Sequence, residues 1–415
     1  MATPTTPSGP DGPEQGRPPA RPAAPALRGG VAARPQLMRA MNERMLLEEV
    51  RLGGPVSRVD LARTSGLSKP TVTLALANLE RDGLVRVAGH RTGFRGPAAL
   101  LYEVRPEAGY VLGLDVGREY VRGALADLTG AVRAKASRRA HSASAPGRIS
   151  ELVSLADELT ATAGVTRARV TQTVVGSPGV YDPRRGALNL AGNLPGWERP
   201  QVLAELAKGF SKAVVVENDV DLAALAERDL GHGQGVDSFC VVSVGTGIGM
   251  GLVLHGELHR GIHGAAGEIA YLPIGSDGAD PREARRRGLL ETSLSAAAVV
   301  RSARSAGFRG AVSARRVFSA AAAGDARAAA VVSEAAALTA RALASIIAVV
   351  DPGLIVLGGG IGRAPGFAQA VAEALEPLVP FLPDLRVSAL GDDAVVDGAL
   401  SAGLDLAWRR LLERA

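Results

Sequence analysis

Cysteine is nearly missing: one thiol, Cys240, stands among 415 residues. A lone cysteine builds neither a disulfide framework nor a cysteine-based zinc finger, and it points to an intracellular setting. Aromatic side chains reach only 3%, which argues against nucleic-acid binders that stack bases on aromatic platforms. Long apolar runs are scarce as well. The longest uncharged one, Phe239 to Leu254, stops short of the ~18 residues a membrane span needs and carries four glycines, so it reads as strand and loop. No charged head precedes an apolar run at the N-terminus, so the sequence predicts a cytoplasmic protein with no signal peptide and no membrane partner. Lysine is rare too, at 4 against 43 arginines, a bias that removes diagnostic weight from any single arginine.

What is present is ordinary for a globular chain. Apolar residues at 47% and charged residues at 21% exclude wholesale disorder, and the length suits about two or three domains. The net charge of +5 is unevenly spread. Residues 1–109 hold 15 Lys+Arg against 10 Asp+Glu, whereas residues 110–415 hold 32 of each. The whole excess therefore sits where a nucleic-acid surface would concentrate it. Residues 1–35 contain nine prolines and five glycines with almost no large apolar side chains. Such a segment cannot bury enough surface to offset its ordering entropy, so a disordered spacer is expected.

From Gln36 the pattern changes, and residues 36–105 read as one module. Leu37, Met41, Met45 and Leu46 recur at helical spacing up to a stop at Gly53-Gly54-Pro55. Ser57 then caps a short helix over 58–64, Ser65-Gly66-Leu67 makes the turn, and Ser68 caps a longer helix closing at Asp82-Gly83. Two helices joined by a three-residue turn with glycine is the helix-turn-helix signature. Strands over 84–87 and 98–104 follow, around a loop over 88–97 that carries Arg91 and Arg95, which completes a winged helix. On the second helix Val72, Ala75, Leu76 and Leu79 form the core stripe, Lys69, Pro70, Thr73 and Leu74 lie off it, and Thr71 sits at its margin. Ser68, Lys69, Thr71 and Thr73 can reach phosphates or base edges, Leu74 a thymine methyl, and Arg91 and Arg95 phosphates or the minor groove. The alternative is a small protein–protein module whose polar face is simply solvated.

The remainder, 106–415, reads as α/β. Apolar runs at 111–114, 174–175, 214–216, 239–244 and 354–357 each end in Gly, Asn or Asp, with Ala-rich helical stretches at 149–163, 201–208, 296–306 and 328–350. This alternation puts functional residues at the carboxyl ends of strands, and the length predicts two lobes around a cleft. Gly245-Thr246-Gly247, Gly249 and Gly251 follow one strand, and Gly358-Gly359-Gly360 another. Both can cradle a phosphate with backbone N–H groups, or merely make tight turns. Asn193, Asn218, Asp219 and Glu268 are amides and carboxylates suited to a polyhydroxylated ligand. Asp219 would be the base if the chain transferred phosphate to a sugar hydroxyl, whereas Asn218-Asp219 equally suits a helix cap.

These motifs resemble those of the ROK family of repressors, open reading frames and sugar kinases, and more closely its regulator branch with an N-terminal winged helix. The likeness runs from about Leu37 to the C-terminus. It rests on Gly113-Leu-Asp-Val-Gly117, Gly176–Asp182, Glu217-Asn-Asp219, Gly245–Gly251, Gly261–Glu268 and Asp351–Gly360. It implies a two-lobed actin-like (sugar kinase/ribonuclease H-like) fold in homodimers or homotetramers. Three departures stand out. Kinase members carry Asp-x-Gly-Gly-Thr, whereas here Asp115-Val-Gly117 continues as Arg118-Glu119-Tyr120, which adds a Cβ, removes a hydroxyl and brings a negative charge towards the phosphate. Glu-x-Gly-His becomes Glu268-Ile-Ala-Tyr271, and the cysteine cluster becomes Asp277–Gly288, ahead of Glu291. No thiolate remains for zinc, so neither metal nor cofactor is expected.

The sequence thus predicts a sugar-responsive transcriptional regulator of carbohydrate metabolism, by default a repressor, whose dimer reads an inverted repeat in double-stranded DNA. The sugar or sugar derivative would lie on Asn193, Asn218, Asp219, Glu268 and Glu291. Asp115, Gly117, Gly245, Thr246, Gly247, Gly249, Gly359 and Gly360 would form a vestigial nucleotide site. No residue is assigned a catalytic role. A sugar kinase with an appended DNA-binding module is the competing reading, and a scaffold with an empty cleft the third.

Overall fold

The computed structural model describes residues 35–91, 98–182, 184–191, 194–275 and 280–414. The N-terminal module consists of α1 (Pro35–Gly53), β1 (Val56–Ser57), α2 (Arg58–Ser65), α3 (Lys69–Arg81), β2 (Val85–Arg91) and β3 (Ala99–Val104). Local chemistry sets its boundaries. The Ser57 hydroxyl and the Asp60 carboxylate form a reciprocal capping box at the start of α2, and Gly66 in the left-handed region ends that helix. Ser68 caps α3 with Pro70 in the first turn. The core stripe of α3 is buried as its spacing requires, Val72 and Leu76 being fully shielded. The strands differ from the expectation. β2 continues through Arg91, so the first four residues of the expected loop are strand, with a register shift between Val87 and Gly89 letting it bend. Pro35 belongs to α1 rather than to the spacer, and the rest of the expected spacer, like Arg95, lies outside the described residues.

The first lobe comprises β4 (Tyr110–Val116), β5 (Tyr120–Asp127), β6 (Val132–Arg139), α4 (Ala145–Thr162), β7 (Val170–Ser177), β8 (Val180–Asp182), β9 (Ala187–Asn189), α5 (Val202–Phe210), β10 (Val215–Asn218) and α6 (Asp219–Leu230). The second comprises β11 (Phe239–Val244), β12 (Ile248–Leu254), β13 (Glu257–Leu258), α7 (Pro281–Arg287), α8 (Leu289–Leu294), α9 (Ala296–Ser305), α10 (Ala314–Ala322), α11 (Ala326–Val350), β14 (Leu354–Gly358), α12 (Gly359–Gly362), α13 (Phe367–Leu375) and β15 (Asp384–Val387). The chain then returns to the first lobe as α14 (Ala394–Arg414).

The two large sheets share one plan. The first is ordered β10-β7-β4-β5-β6 and the second β13-β12-β11-β14-β15. In each, the first strand pairs antiparallel with the next and parallel with the fourth. The matching topology places a tight turn after the first strand of each lobe, facing the cleft. Strands buried on both faces explain the unbroken Val/Leu/Ile runs. Among the described residues α11 is the one helix long and apolar enough to cross a membrane, and 56% of its apolar window is buried within the lobe.

Two helices tie the parts together. α6 packs on the second sheet and along α14, which also lies against β4 and β7. The α6–α14 seam is a backbone contact: a Cβ on Gly398 would stand 1.8 Å from the Leu222 carbonyl oxygen. At its far end α14 joins the winged helix. Trp408 donates to the Leu128 carbonyl at 3.1 Å, Arg51 of α1 stacks over its ring, and Trp408 shares one apolar cluster with Leu46, Leu76 and Tyr102. A crevice of ≈ 580 Å³ lies at this junction, lined by Arg51, Arg86, Asp229, Asp405 and Trp408 among others.

Candidate functional site

On α3, Lys69, Thr73 and Leu74 point to solvent and Thr71 is half-buried. Leu74 is 53% exposed, an apolar side chain offered outward from a helix whose other face is core. Ser68 and Thr71 serve the helix first: their hydroxyls pair at 2.8 Å and Ser68 accepts from the Thr71 N–H. Arg91 lies 2.9 Å from Asp60, so the wing strand is pinned to the start of α2. The Ser57 hydroxyl donates to Asp60, and that bond lowers the Asp60 carboxyl's pKa below its ordinary value.

The cleft begins at the end of β4. Asp115 is buried and receives Arg122 at 3.2 Å. Burial pushes its carboxyl up to about 6, against the pull of Arg122. The following turn, Gly117 to Tyr120, is held from behind. Buried Arg148, in the first turn of α4, donates to the Arg118 carbonyl at 3.2 Å and to the Ser142 carbonyl at 2.8 Å. Arg118 and Glu119 occupy the exposed crest of this turn.

At the end of β10, Asn218 caps α6. Its oxygen accepts from Val220 and Asp221, and its amide donates to the Gly179 carbonyl at 3.0 Å. Both polar ends of that side chain are in use, so the cap reading and the proximity to the cleft hold together. Asp219 opens the helix beside it, and desolvation followed by the charge of Asp115 raises its carboxyl to about 7. Glu268 rises to about 7 through burial and the charge of Glu291. Glu291 itself is engaged, with one oxygen accepting the Ile248 N–H at 3.1 Å and the other facing Arg287 at 2.8 Å. The structure therefore brings Asp219 within reach of the charges of Asp115 and Glu268, and Glu268 within reach of Glu291, while Asn193 lies outside the described residues.

The glycine segments meet each other. Gly245-Thr246-Gly247 is the three-residue turn of the β11–β12 hairpin, its Gly245 N–H bonded to the Gly247 carbonyl at 2.9 Å, and Gly249 lies within β12. Gly359 sits at φ +76, where a Cβ would stand 2.4 Å from the Val244 carbonyl oxygen, and Gly360 approaches Gly245. The turn after β14 is the short helix α12 rather than an open loop.

Four charged neighbours escape motif reading. Asp221, two residues past Asp219, is 3% exposed and pushed up to about 8 by burial and the charge of Glu217. Arg260 grips Glu217 through Nε and Nη2, at 2.8 and 2.6 Å, linking the segment before Glu268 to β10. Arg122 and Arg287 are the others. The acidic spacing of Glu217, Asp219 and Asp221 was the available signal for the first, and the i,i+4 spacing of Arg287 and Glu291 for the last; Arg122 and Arg260 meet their carboxylates across strands and segments and left none. Tyr271 donates to the Arg286 carbonyl at 3.0 Å. Trp197 is fully buried, its ring N–H on the Ser177 hydroxyl at 2.6 Å.

Comparison with known proteins gives independent bearings. A family model described as "ROK family" matches residues 111–402, and one described as "Winged helix-turn-helix DNA-binding" matches residues 42–86. The chain is 26% identical over 243 residues to the xylose repressor of Bacillus subtilis, which covers 58% of this chain and 62% of that protein. It is 31% identical over 245 residues to the glucokinase of Thermotoga maritima, covering 55% of this chain and 77% of the kinase. Among solved structures, a ROK family transcriptional regulator described as a homologue of the E. coli MLC protein superposes with a TM-score of 0.72 at 24% identity, over 91% of this chain and 98% of that one. The match thus spans about three fifths of the xylose repressor's length. Repressors and sugar kinases both stand among the relatives.

Proposed function

The chain belongs to the ROK family and carries a winged helix-turn-helix ahead of the family domain, and from this we propose that it is a sugar-responsive DNA-binding repressor rather than a sugar kinase. The carrying observation is the join between the two: α6, which opens with Asp219, packs backbone-close on α14, and α14 contacts the winged helix through α1. The family match to a repressor and the winged helix support the DNA half; the cleft carboxylates support the sugar half.

This reading implies a mechanism. α3 enters the major groove with Lys69, Thr73 and Leu74 outward, and a symmetric dimer presents two such helices to an inverted repeat. The sugar lies on Asp219 and Glu268, with Asn218 and Glu291 around it. Asp219 begins α6, so closure of the lobes on sugar moves α6. The Leu222–Gly398 contact passes that movement to α14, whose far end holds the winged helix through Trp408. The sugar acts because it favours one lobe arrangement over the other; equal affinity for both would shift nothing. At the exposed crest of the first turn Glu119 opposes a bound triphosphate by charge, and Arg118 by the bulk of a side chain where kinase members have glycine, which favours sensing over phosphoryl transfer. The homology to glucokinase favours the second reading, a kinase with an appended DNA-binding module.

An electrophoretic shift of DNA upstream of the chain's own gene, at fixed salt, with a panel of sugars and sugar phosphates, tests this. One sugar releasing the DNA supports the proposal and identifies the effector. Specific binding that no sugar alters sinks the sensing half, and no specific binding sinks the DNA half. Magnesium-dependent ADP release with a hexose would establish the kinase.

A further inference from the structure

Asp392 is an exposed carboxylate with two arginines on it. Arg122, from β5, places Nη2 3.7 Å from one oxygen, and Arg363, just past α12, bonds the other through Nη2. The two arginines come from different lobes. Arg122 stands beside the first turn, with Nη1 on Asp115 at 3.2 Å and its guanidinium 5.1 Å over the Tyr120 ring. Arg363 caps the end of the second glycine turn. Asp392 itself lies in the crossing between β15 and α14, where the chain passes from the second lobe to the first. A line of alternating charge, Asp115, Arg122, Asp392 and Arg363, therefore runs from one turn to the other. Its arginines are 21% and 28% exposed, whereas the Asp392 carboxylate is 65% exposed. The Arg363 Nε is buried and, among the described residues, has no hydrogen-bond partner. Guanidinium pairs of this kind suit an anion with more oxygens than a carboxylate offers.

We propose that Asp392 is a built-in anion: its carboxylate occupies an anion site formed by Arg122 and Arg363 between the two glycine turns, and holds the lobes there in place of a bound phosphate chain. This deepens the sugar-sensing reading and rests on it, because it assigns the other half of the cleft to the protein's own charges and makes the response to sugar independent of nucleotide. Neighbouring Asp393 does not share the role. It pairs with Lys135 at 3.0 Å on the face of the first lobe.

Calorimetric titration of the full chain with inorganic tripolyphosphate, at one low salt concentration, tests the assignment. Asp392→Asn keeps the shape and removes the charge, and it is expected to bind tripolyphosphate about tenfold or more tighter than the unaltered chain, by freeing two charge-assisted donors. The gain should vanish in Asp392→Asn combined with either Arg122→Gln or Arg363→Gln. Asp393→Asn, an equal change in net charge, should bind as the unaltered chain does. Unchanged affinity in Asp392→Asn overturns the proposal, and so does an equal gain in Asp393→Asn, which would make the effect one of net charge alone. The operator-release assay contains no tripolyphosphate, so failure of the sugar-sensing reading shows there and is distinguishable from failure here.

Discussion

The winged helix and the cleft handle charge in opposite ways. In the winged helix, the polar groups assigned to DNA stand in solvent on elements whose caps lie within a few residues, as Ser57 with Asp60 and Ser68 with Thr71 do. In the cleft, carboxylates from separated segments crowd together, and burial first, then the charge of a neighbouring carboxylate, raises Asp219, Asp221 and Glu268. An exposed group acts by what it reaches. A buried one acts by what surrounds it, and a single change there propagates.

The sharpest way to break that contrast is Asp219→Ala. If the cleft is the sensing half, this variant binds operator DNA normally and loses its release by sugar altogether. Persistent release would remove Asp219 from the site. Lys69→Glu tests the other half. It should weaken operator binding by about tenfold to a hundredfold, roughly 1.4–2.8 kcal/mol, by turning a phosphate contact into repulsion. Sugar affinity, followed by calorimetry, should stay put. A variant that lost both properties would show the halves are not separable.

The same contrast explains what the sequence could show. Helix-turn-helix boundaries were legible because caps, turn glycine and core stripe are all local: α2 and α3 end within one residue of the expected positions. The wing was half legible, since β2 runs four residues past Val87 through a bulge that depends on cross-strand pairing with β3. In the family domain the strand-to-glycine turns marked β4, β11 and β14, but the hairpin of β5 and β6 carries no such punctuation. The matching plan of the two sheets, the α6–α14 seam and the Arg122–Asp392–Arg363 line are invisible at that level. Each joins residues that the chain brings together only by folding. Asp115, Asp219, Glu268 and Glu291 could be named by motif, yet their crowding, and the prior engagement of Asn218 and Glu291, needed coordinates.

Gly398→Ala probes the route between the regions. Its added Cβ meets the Leu222 carbonyl oxygen at 1.8 Å, so α6 and α14 must separate. Overpacking at such a seam costs about 1–3 kcal/mol. The expected result is a lowered Tm together with a weakened sugar response, while operator affinity without sugar and the fold seen by circular dichroism persist. A full sugar response in this variant would mean that the signal does not pass through α6 and α14.

The smallest effect separates the regions by pH. Asp219 and Glu268 are raised to about 7 and Asp221 to about 8. In the unfolded chain such carboxyls titrate near pH 4. Between those values the folded protein holds more protons than the unfolded one, so stability from these groups is complete below about pH 4 and is lost as pH rises towards 8. Asp60 runs the other way. The Ser57 hydroxyl bond depresses its pKa, so its contribution is present above the unfolded value and is lost as pH falls through the folded one. Base should therefore loosen the cleft, and acid the start of α2. The sugar-free chain should melt about one to two degrees lower at about pH 8.5 than at about pH 6, a shift that corresponds to about 1–2 kcal/mol at this size. Asp221→Asn should remove part of that slope, because Asp221 is the most buried of the three carboxyls and an amide in its place carries no titrating proton. Hydrogen-exchange protection, each rate taken relative to its intrinsic base-catalysed rate at that pH, should fall at the start of α6 with α3 unchanged. A slope that survives Asp221→Asn in full, or lower protection of α3 relative to its intrinsic exchange rate at the higher pH, would refute the division of labour between a solvated reading face and a desolvated sensing one.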